Sequence, residues 1–110
     1  MGAGPPILLS LSFLGLSFLP PVALAADAQA GRAKANACIV CHGPAGIATA
    51  PGTPNLAGQP AMYLEQQLRQ FRAGTRRHEQ MSLIAKPLSD AEIENLAAWF
   101  SSIRIQATPP

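Results

Sequence analysis

The sequence has few charged and few aromatic residues. Of its 110 residues, 13% are charged and 5% are aromatic, and the formal net charge is +2. A net charge this small, with no dense run of lysine and arginine, gives no argument for nucleic-acid binding. The two cysteines are too few for a scaffold held by several disulfides.

Charge is absent from the start of the chain, since residues 1–26 contain no Lys, Arg, Asp, Glu or His. The apolar stretch 7–19 is shorter than the roughly 20 residues that span a bilayer. Pro20 and Pro21 end any helix there, and Ala23-Leu24-Ala25 has the small-x-small pattern of a signal-peptidase site. We therefore predict a signal peptide over residues 1–25, with residues 26–110 as one exported domain. The alternatives are an uncleaved membrane anchor and a buried core helix.

Three later segments have helical patterns. Residues 28–37 are rich in alanine and contain no β-branched side chain. A second helix begins near Pro60, ends at Gly74 and has an apolar stripe formed by Tyr63, Leu64, Leu68 and Phe71. A third follows the capping box of Ser89 and Glu92 and the hydrophobic staple of Leu88 and Ile93, and its stripe continues through Leu96, Ala97, Phe100 and Ile103.

Two long segments between these helices are irregular. Residues 43–59 are dense in Gly, Pro, Ala and Thr, and residues 75–88 form the second stretch. No period-2 strand pattern is present. The prediction is an all-α domain with three main helices and two long loops, and loops of such length are typical of ligand binding.

Cys38, Cys41 and His42 form a C-x-x-C-H motif, the attachment sequence of c-type haem. The two thiols add to the vinyl groups of the porphyrin, and the adjacent imidazole lies under the iron. A covalently held haem would also supply the apolar surface that a small domain with few aromatics lacks.

Other chemistries use similar cysteine pairs. A thioredoxin-like redox site would need a βαβ setting, which the flanking sequence does not predict. A structural zinc site wants four ligands, for which the chain offers two cysteines, His42 and the distant His78. A disulfide between Cys38 and Cys41 would leave His42 without a role.

A second axial ligand for the iron could come from Met62, His78 or Met81. Met62 lies in the second predicted helix, where methionine is usually core filler. Met81 lies in the irregular stretch 75–88, where the backbone can direct a side chain freely toward a metal. We therefore favour Met81, with His78 as the alternative.

Together these residues resemble class I c-type cytochromes, most closely small bacterial monohaem forms and single halves of dihaem cytochromes. The likeness covers essentially all of residues 26–110. It is carried by C-x-x-C-H-G at 38–43, PNLAGQ at 54–59, Tyr63, Gln67, Leu68, Phe71, Gly74, Met81, Leu88, Ser89 and LAAWF at 96–100.

The resemblance implies thioether bonds from Cys38 and Cys41, His42 as the proximal ligand and Met81 as the distal one. It further implies that the Pro54 carbonyl accepts a hydrogen bond from His42 and that Leu56 packs on the haem. Gly31 would let the first helix cross the last one closely near Trp99. The family often has an aromatic residue shortly before the first cysteine, whereas residues 34–37 read KANA, which predicts a lighter contact between these helices.

Four arginines, Arg69, Arg72, Arg76 and Arg77, recur at helical spacing. They could form a solvated face, a docking surface for an acidic redox partner or hydrogen bonds to the haem propionates.

The expected function is that of a periplasmic one-electron carrier with His/Met-ligated haem c. It would shuttle electrons between respiratory complexes or dehydrogenases, through donor and acceptor proteins that the sequence does not identify, and would not itself be an enzyme. An alternative is the haem c electron-transfer subunit of a larger oxidoreductase complex. A third is an enzyme whose iron leaves Met81 unbound and handles peroxide or a small gas.

Overall fold

The structure is a computed structural model that describes residues 1–10, 15–21 and 24–110. Part of the predicted signal peptide, residues 11–14 of its apolar stretch and Ala23 of its cleavage pattern, lies outside the described residues. Among the described residues, none belongs to a helix with the length and hydrophobicity needed to cross a membrane.

Five helices make up the domain: α1 (Ala28–Lys34), α2 (Asn36–His42), α3 (Ala61–Ala73), α4 (Glu79–Ala85) and α5 (Asp90–Ser102). The described part of the chain contains no strand. The all-α prediction is confirmed, and α3 and α5 lie where the apolar stripes placed them. Gly74 ends α3 in the left-handed conformation, with φ of 83°.

The first predicted helix is interrupted. α1 ends at Lys34, and the chain turns at Ala35 before α2 begins and continues through His42. Ala35 is only 2% exposed, and its carbonyl accepts hydrogen bonds from the backbone N–H groups of Cys38 and Ile39. The prediction of one helix over 28–37 was wrong because no local breaker marks the turn. Instead, the turn lies where Ala35 enters the core.

The segment 75–88, predicted to be irregular, contains the seven-residue helix α4. Met81 therefore lies in the first turn of a helix and not in a loop. The prediction missed α4 because seven residues are too few for a clear apolar period. Its N-cap is His78, which is not among the usual capping residues.

The core forms where α1 and α3 pack on α5 and α4 packs on α3. Its buried members are Ala35, Leu64, Phe71, Ala85, Leu88, Ile93, Leu96, Ala97 and Phe100. The two staple residues that flank the start of α5 are both in this set. Tyr63, assigned to the α3 stripe from the sequence, is instead half exposed.

The start of α5 has only half of the predicted capping box. The hydroxyl of Ser89 accepts a hydrogen bond from the Glu92 backbone N–H at 3.1 Å. The Glu92 carboxylate does not return to Ser89 but lies 3.2 Å from the ammonium of Lys34. Glu92 therefore links α5 to α1, a contact between residues far apart in sequence.

Candidate functional site

A cavity of about 330 Å³ opens between α2, the loop 43–59, α3, α4 and α5. Its volume is at the lower end of the range, roughly 300–1,000 Å³, in which proteins bind small molecules and cofactors. The sequence-predicted site residues all line it: Cys38, Cys41, His42, Pro54, Leu56 and Met81. His78 lines it as well, whereas Met62 lies outside it and is 82% exposed.

α2 brings the three motif residues to this cavity. Cys38, Cys41 and His42 are three and four residues apart, which puts them on one side of a helix. Both cysteines are partly buried and form no disulfide. Burial raises the pKa of the Cys38 thiol above its ordinary value, so this thiol is protonated at neutral pH.

His42 is the only buried polar or charged residue among those that the structure describes, at 6% exposed. Its Nδ1 lies 2.8 Å from the Pro54 carbonyl oxygen. Because a carbonyl can only accept, Nδ1 carries the hydrogen, and the Nε2 of the neutral ring keeps its lone pair. A metal-binding histidine needs this arrangement of its two nitrogens.

The loop 43–59 places Pro54 through its own hydrogen bonds. The Gly46 carbonyl accepts from the backbone N–H groups of Leu56 and Ala57, and the Cys41 carbonyl accepts from that of Thr49. Gly43, which follows the motif, has φ of 82°, and a β-carbon there would lie 1.8 Å from the Ile47 carbonyl oxygen. This glycine is therefore required for the chain to turn directly after the motif.

Apolar side chains form most of the remaining wall. They come from the stripes of α3 and α5 and from α4, and include Leu64, Leu68, Phe71, Ile84, Leu96 and Phe100. The apolar stripes predicted the α3 and α5 residues as core and not as part of the site, and no sequence pattern marked Ile84. The periodicity that predicts a buried stripe does not distinguish packing against protein from packing against a ligand.

The arginines do not form one face. Arg69 and Arg72 both bind the Asp90 carboxylate, at 2.8 and 2.6 Å, and Arg69 also reaches Glu94 at 3.0 Å. The hydrogen bond from Arg72, with the positive charges of both arginines, holds the pKa of Asp90 below its usual value. These two arginines thus join α3 to the start of α5, a role that their helical spacing does not predict.

Arg76 and Arg77 differ from that pair because they line the cavity. The guanidinium of Arg76 donates to the Gln67 side chain at 2.6 Å and lies 4.5 Å from the centre of the Phe71 ring.

Within the described residues, no group of three or more His, Cys, Asp or Glu side chains is placed to hold a metal ion.

A family model and several known proteins are similar to this chain. A family model described as "Cytochrome c" matches residues 28–104. Cytochrome c4 of Thiocapsa roseopersicina is 47% identical over 77 residues, which are 69% of this chain and 40% of that protein. Cytochrome c-554(548) of Halomonas halodenitrificans is 43% identical over 81 residues, covering 71% of this chain and 98% of that protein.

A third relative is named for the enzyme from which it accepts electrons. The thiosulfate dehydrogenase electron acceptor of Thiomonas intermedia is 40% identical over 102 residues, covering 92% of this chain and 46% of that protein. Among solved structures, reduced cytochrome c4 from Pseudomonas stutzeri superposes with a TM-score of 0.68 at 40% identity, over 73% of this chain and 47% of that chain. This chain thus spans about half the length of several relatives but nearly all of the Halomonas protein.

Proposed function

The chain belongs to the cytochrome c family, and we propose that it is a periplasmic monohaem electron carrier whose iron lies between His42 and Met81. It is a class I c-type cytochrome similar to one half of a dihaem cytochrome. Its cofactor is covalently bound haem c, and it is an electron-transfer protein rather than an enzyme. Family membership therefore removes the alternative of an enzyme for peroxide or a small gas.

The hydrogen bond between His42 Nδ1 and the Pro54 carbonyl is the observation that carries the proximal assignment. It orients the ring and leaves the Nε2 lone pair for iron. Cys38 and Cys41 belong to the same helix as His42 and line the same cavity, so one porphyrin can meet both thiols and the imidazole. We assign the two thioether bonds to these cysteines.

Met81 is the distal ligand in this proposal. It is a half-buried residue on the same cavity as His42, unlike the exposed Met62. When bound, haem supplies the one-electron couple of ferrous and ferric iron, and a thioether ligand raises its potential. Leu56 and the apolar residues of α3 and α5 exclude water from this site, which suits a group that changes charge without binding substrate.

Periplasmic location is inferred from the start of the chain. The charge-free segment and the pattern ending at Ala25 favour export and cleavage. The described residues within 1–25 are all exposed and lie outside the five helices, which counts against a buried core helix. The partners of an exported carrier would be respiratory complexes or dehydrogenases that donate and accept single electrons.

The relatives favour a second candidate, a haem c electron-transfer subunit of a larger oxidoreductase. The Thiomonas relative is named for accepting electrons from thiosulfate dehydrogenase, and this chain aligns with it over 92% of its own length. Size-exclusion chromatography of untagged protein from a periplasmic extract separates the two candidates. A free carrier elutes as a small haem protein, whereas a subunit elutes with a catalytic chain.

Substitution of the methionines tests the ligand assignment. Ferric wild-type protein should have the weak far-red charge-transfer band of thioether-ligated haem, and Met81→Ala should abolish it. Met62→Ala is the matched control, because it removes an exposed methionine outside the cavity and should keep the band. A band that survives Met81→Ala would refute the distal assignment.

A further inference from the structure

His78 and Met81 are joined at the start of α4. The Nδ1 of His78 accepts hydrogen bonds from the backbone N–H groups of Gln80, at 3.2 Å, and Met81, at 3.3 Å. The backbone N–H of His78 in turn donates to the Ser82 hydroxyl at 3.0 Å. The side chains of His78 and Ser82 therefore both hold the first turn of α4 by hydrogen bonds. The Met81 backbone is part of that turn.

Apart from this cap, the first turn of α4 is held by Met81 itself, which packs against the core. α4 has seven residues, which is too short for a helix that is stable by itself. Its buried anchor, Ala85, lies at the other end, whereas Glu79 and Gln80 are exposed and Met81 is half-buried. The orientation of the Met81 side chain thus depends on whether the cap at His78 forms.

The cap also decides what His78 itself can do. A nitrogen that accepts two N–H groups carries no hydrogen, so the neutral ring has its hydrogen on Nε2. While the cap is formed, neither nitrogen of His78 has a lone pair available for iron. The residue therefore lines the cavity without being a ligand.

We propose that His78 is a positioning residue for the distal ligand: its side chain caps α4 and thereby holds the Met81 thioether on the iron. This inference rests on the proposed ligation by Met81. Loss of the cap should weaken the bond between Met81 and the iron, so that external ligands compete for the iron more effectively.

The test is a titration of ferric holoprotein with imidazole, which displaces a weak axial ligand. His78→Ala should bind imidazole more tightly than wild type, by roughly two- to thirtyfold, the factor expected for losing a helix N-cap. Ser82→Ala removes the hydroxyl that accepts from the His78 backbone N–H. It should also tighten imidazole binding, but by less than His78→Ala. His78→Asn should restore affinity close to wild type, because asparagine is a good capping residue. Lys86→Ala, an exposed change at the opposite end of α4, should leave the affinity unchanged.

Other outcomes separate this inference from the proposed ligation. Unchanged imidazole affinity in both His78→Ala and Ser82→Ala, with the far-red band intact, would overturn the role of His78 and leave Met81 as the ligand. Failure of His78→Asn to restore the affinity would also overturn it. If His78→Ala abolishes a six-coordinate spectrum that Met81→Ala preserves, His78 is the ligand and both assignments are wrong.

Discussion

Gly31 of α1 lies against the backbone of Asn95 in α5, so closely that a β-carbon at Gly31 would be 1.9 Å from the Asn95 carbonyl oxygen. The Asn95 side chain completes the crossing, because its Oδ1 accepts a hydrogen bond from the Asp27 backbone N–H at 2.7 Å. Asp27 in turn caps α1 through its carboxylate. The predicted crossing is thus found one turn before Trp99.

Gly31→Ala should destabilise the protein, although replacing glycine by alanine within a helix usually stabilises it by roughly 0.5–1 kcal/mol. The added methyl group meets backbone that cannot rotate away, and overpacking of this kind costs about 1–3 kcal/mol. Guanidinium unfolding of the ferric holoprotein measures the change. Ala30→Gly, at the exposed neighbouring position, reports the intrinsic helix preference alone. A Gly31→Ala protein more stable than wild type would contradict the close crossing.

Cys38→Ala and Cys41→Ala should each reduce the yield of mature holoprotein sharply, because the small core depends on the attached cofactor. Wild-type protein should keep its haem through denaturation and acid-organic extraction, as mass spectrometry can measure. The double variant should keep none. Haem that stays attached without either thiol would disprove the assignment of the thioether bonds.

Export should remove residues 1–25. Amino-terminal sequencing of protein from the periplasm should therefore begin at Ala26 or within a residue or two of it. Replacing Ala23 and Ala25 by leucine should block processing, because signal peptidase requires small residues at these positions. Mature protein that retains Met1 in the membrane fraction would instead identify an anchored cytochrome.

Asp90→Asn should lower the melting temperature at neutral pH. The pKa of Asp90 is depressed in the folded protein by Arg72 and Arg69, so its carboxylate stabilises the fold above the unfolded-state pKa of about 3.9. This stabilisation is lost as the pH falls through the lower folded-state pKa. The difference in melting temperature between wild type and variant should therefore shrink with acidification.

Arg72→Met provides the control for that experiment. It removes the hydrogen bond from Arg72, which is the largest cause of the depressed pKa of Asp90. In this background Asp90→Asn should have a smaller effect on the melting temperature, as expected when two residues interact directly. Equal effects in the two backgrounds would mean that the ion pair between Arg72 and Asp90 does not contribute to stability.

The short helix α4 shows a limit of prediction from local sequence patterns. Met81 lies in a stretch whose sequence has no recognisable period, and the structure places it in a short helix on the cavity. The signal that could have located α4 was a capping histidine with a serine four residues later. Neither residue identifies a helix start by itself, because the cap forms only when the backbone of His78 is extended, as it is in the structure.

Short-range patterns in the sequence were enough to predict the features that depend on near neighbours. These are the C-x-x-C-H motif, the stripes of α3 and α5, the left-handed stop at Gly74 and the irregular loop 43–59, all set by spacing within a few residues. Three other features are visible only in the folded protein: the turn at Ala35, the ion pairs of Arg69 and Arg72 with Asp90, and the cavity lined by both His42 and Met81. These features depend on burial and charge pairing between segments far apart in the chain, and no local pattern encodes which segments will meet.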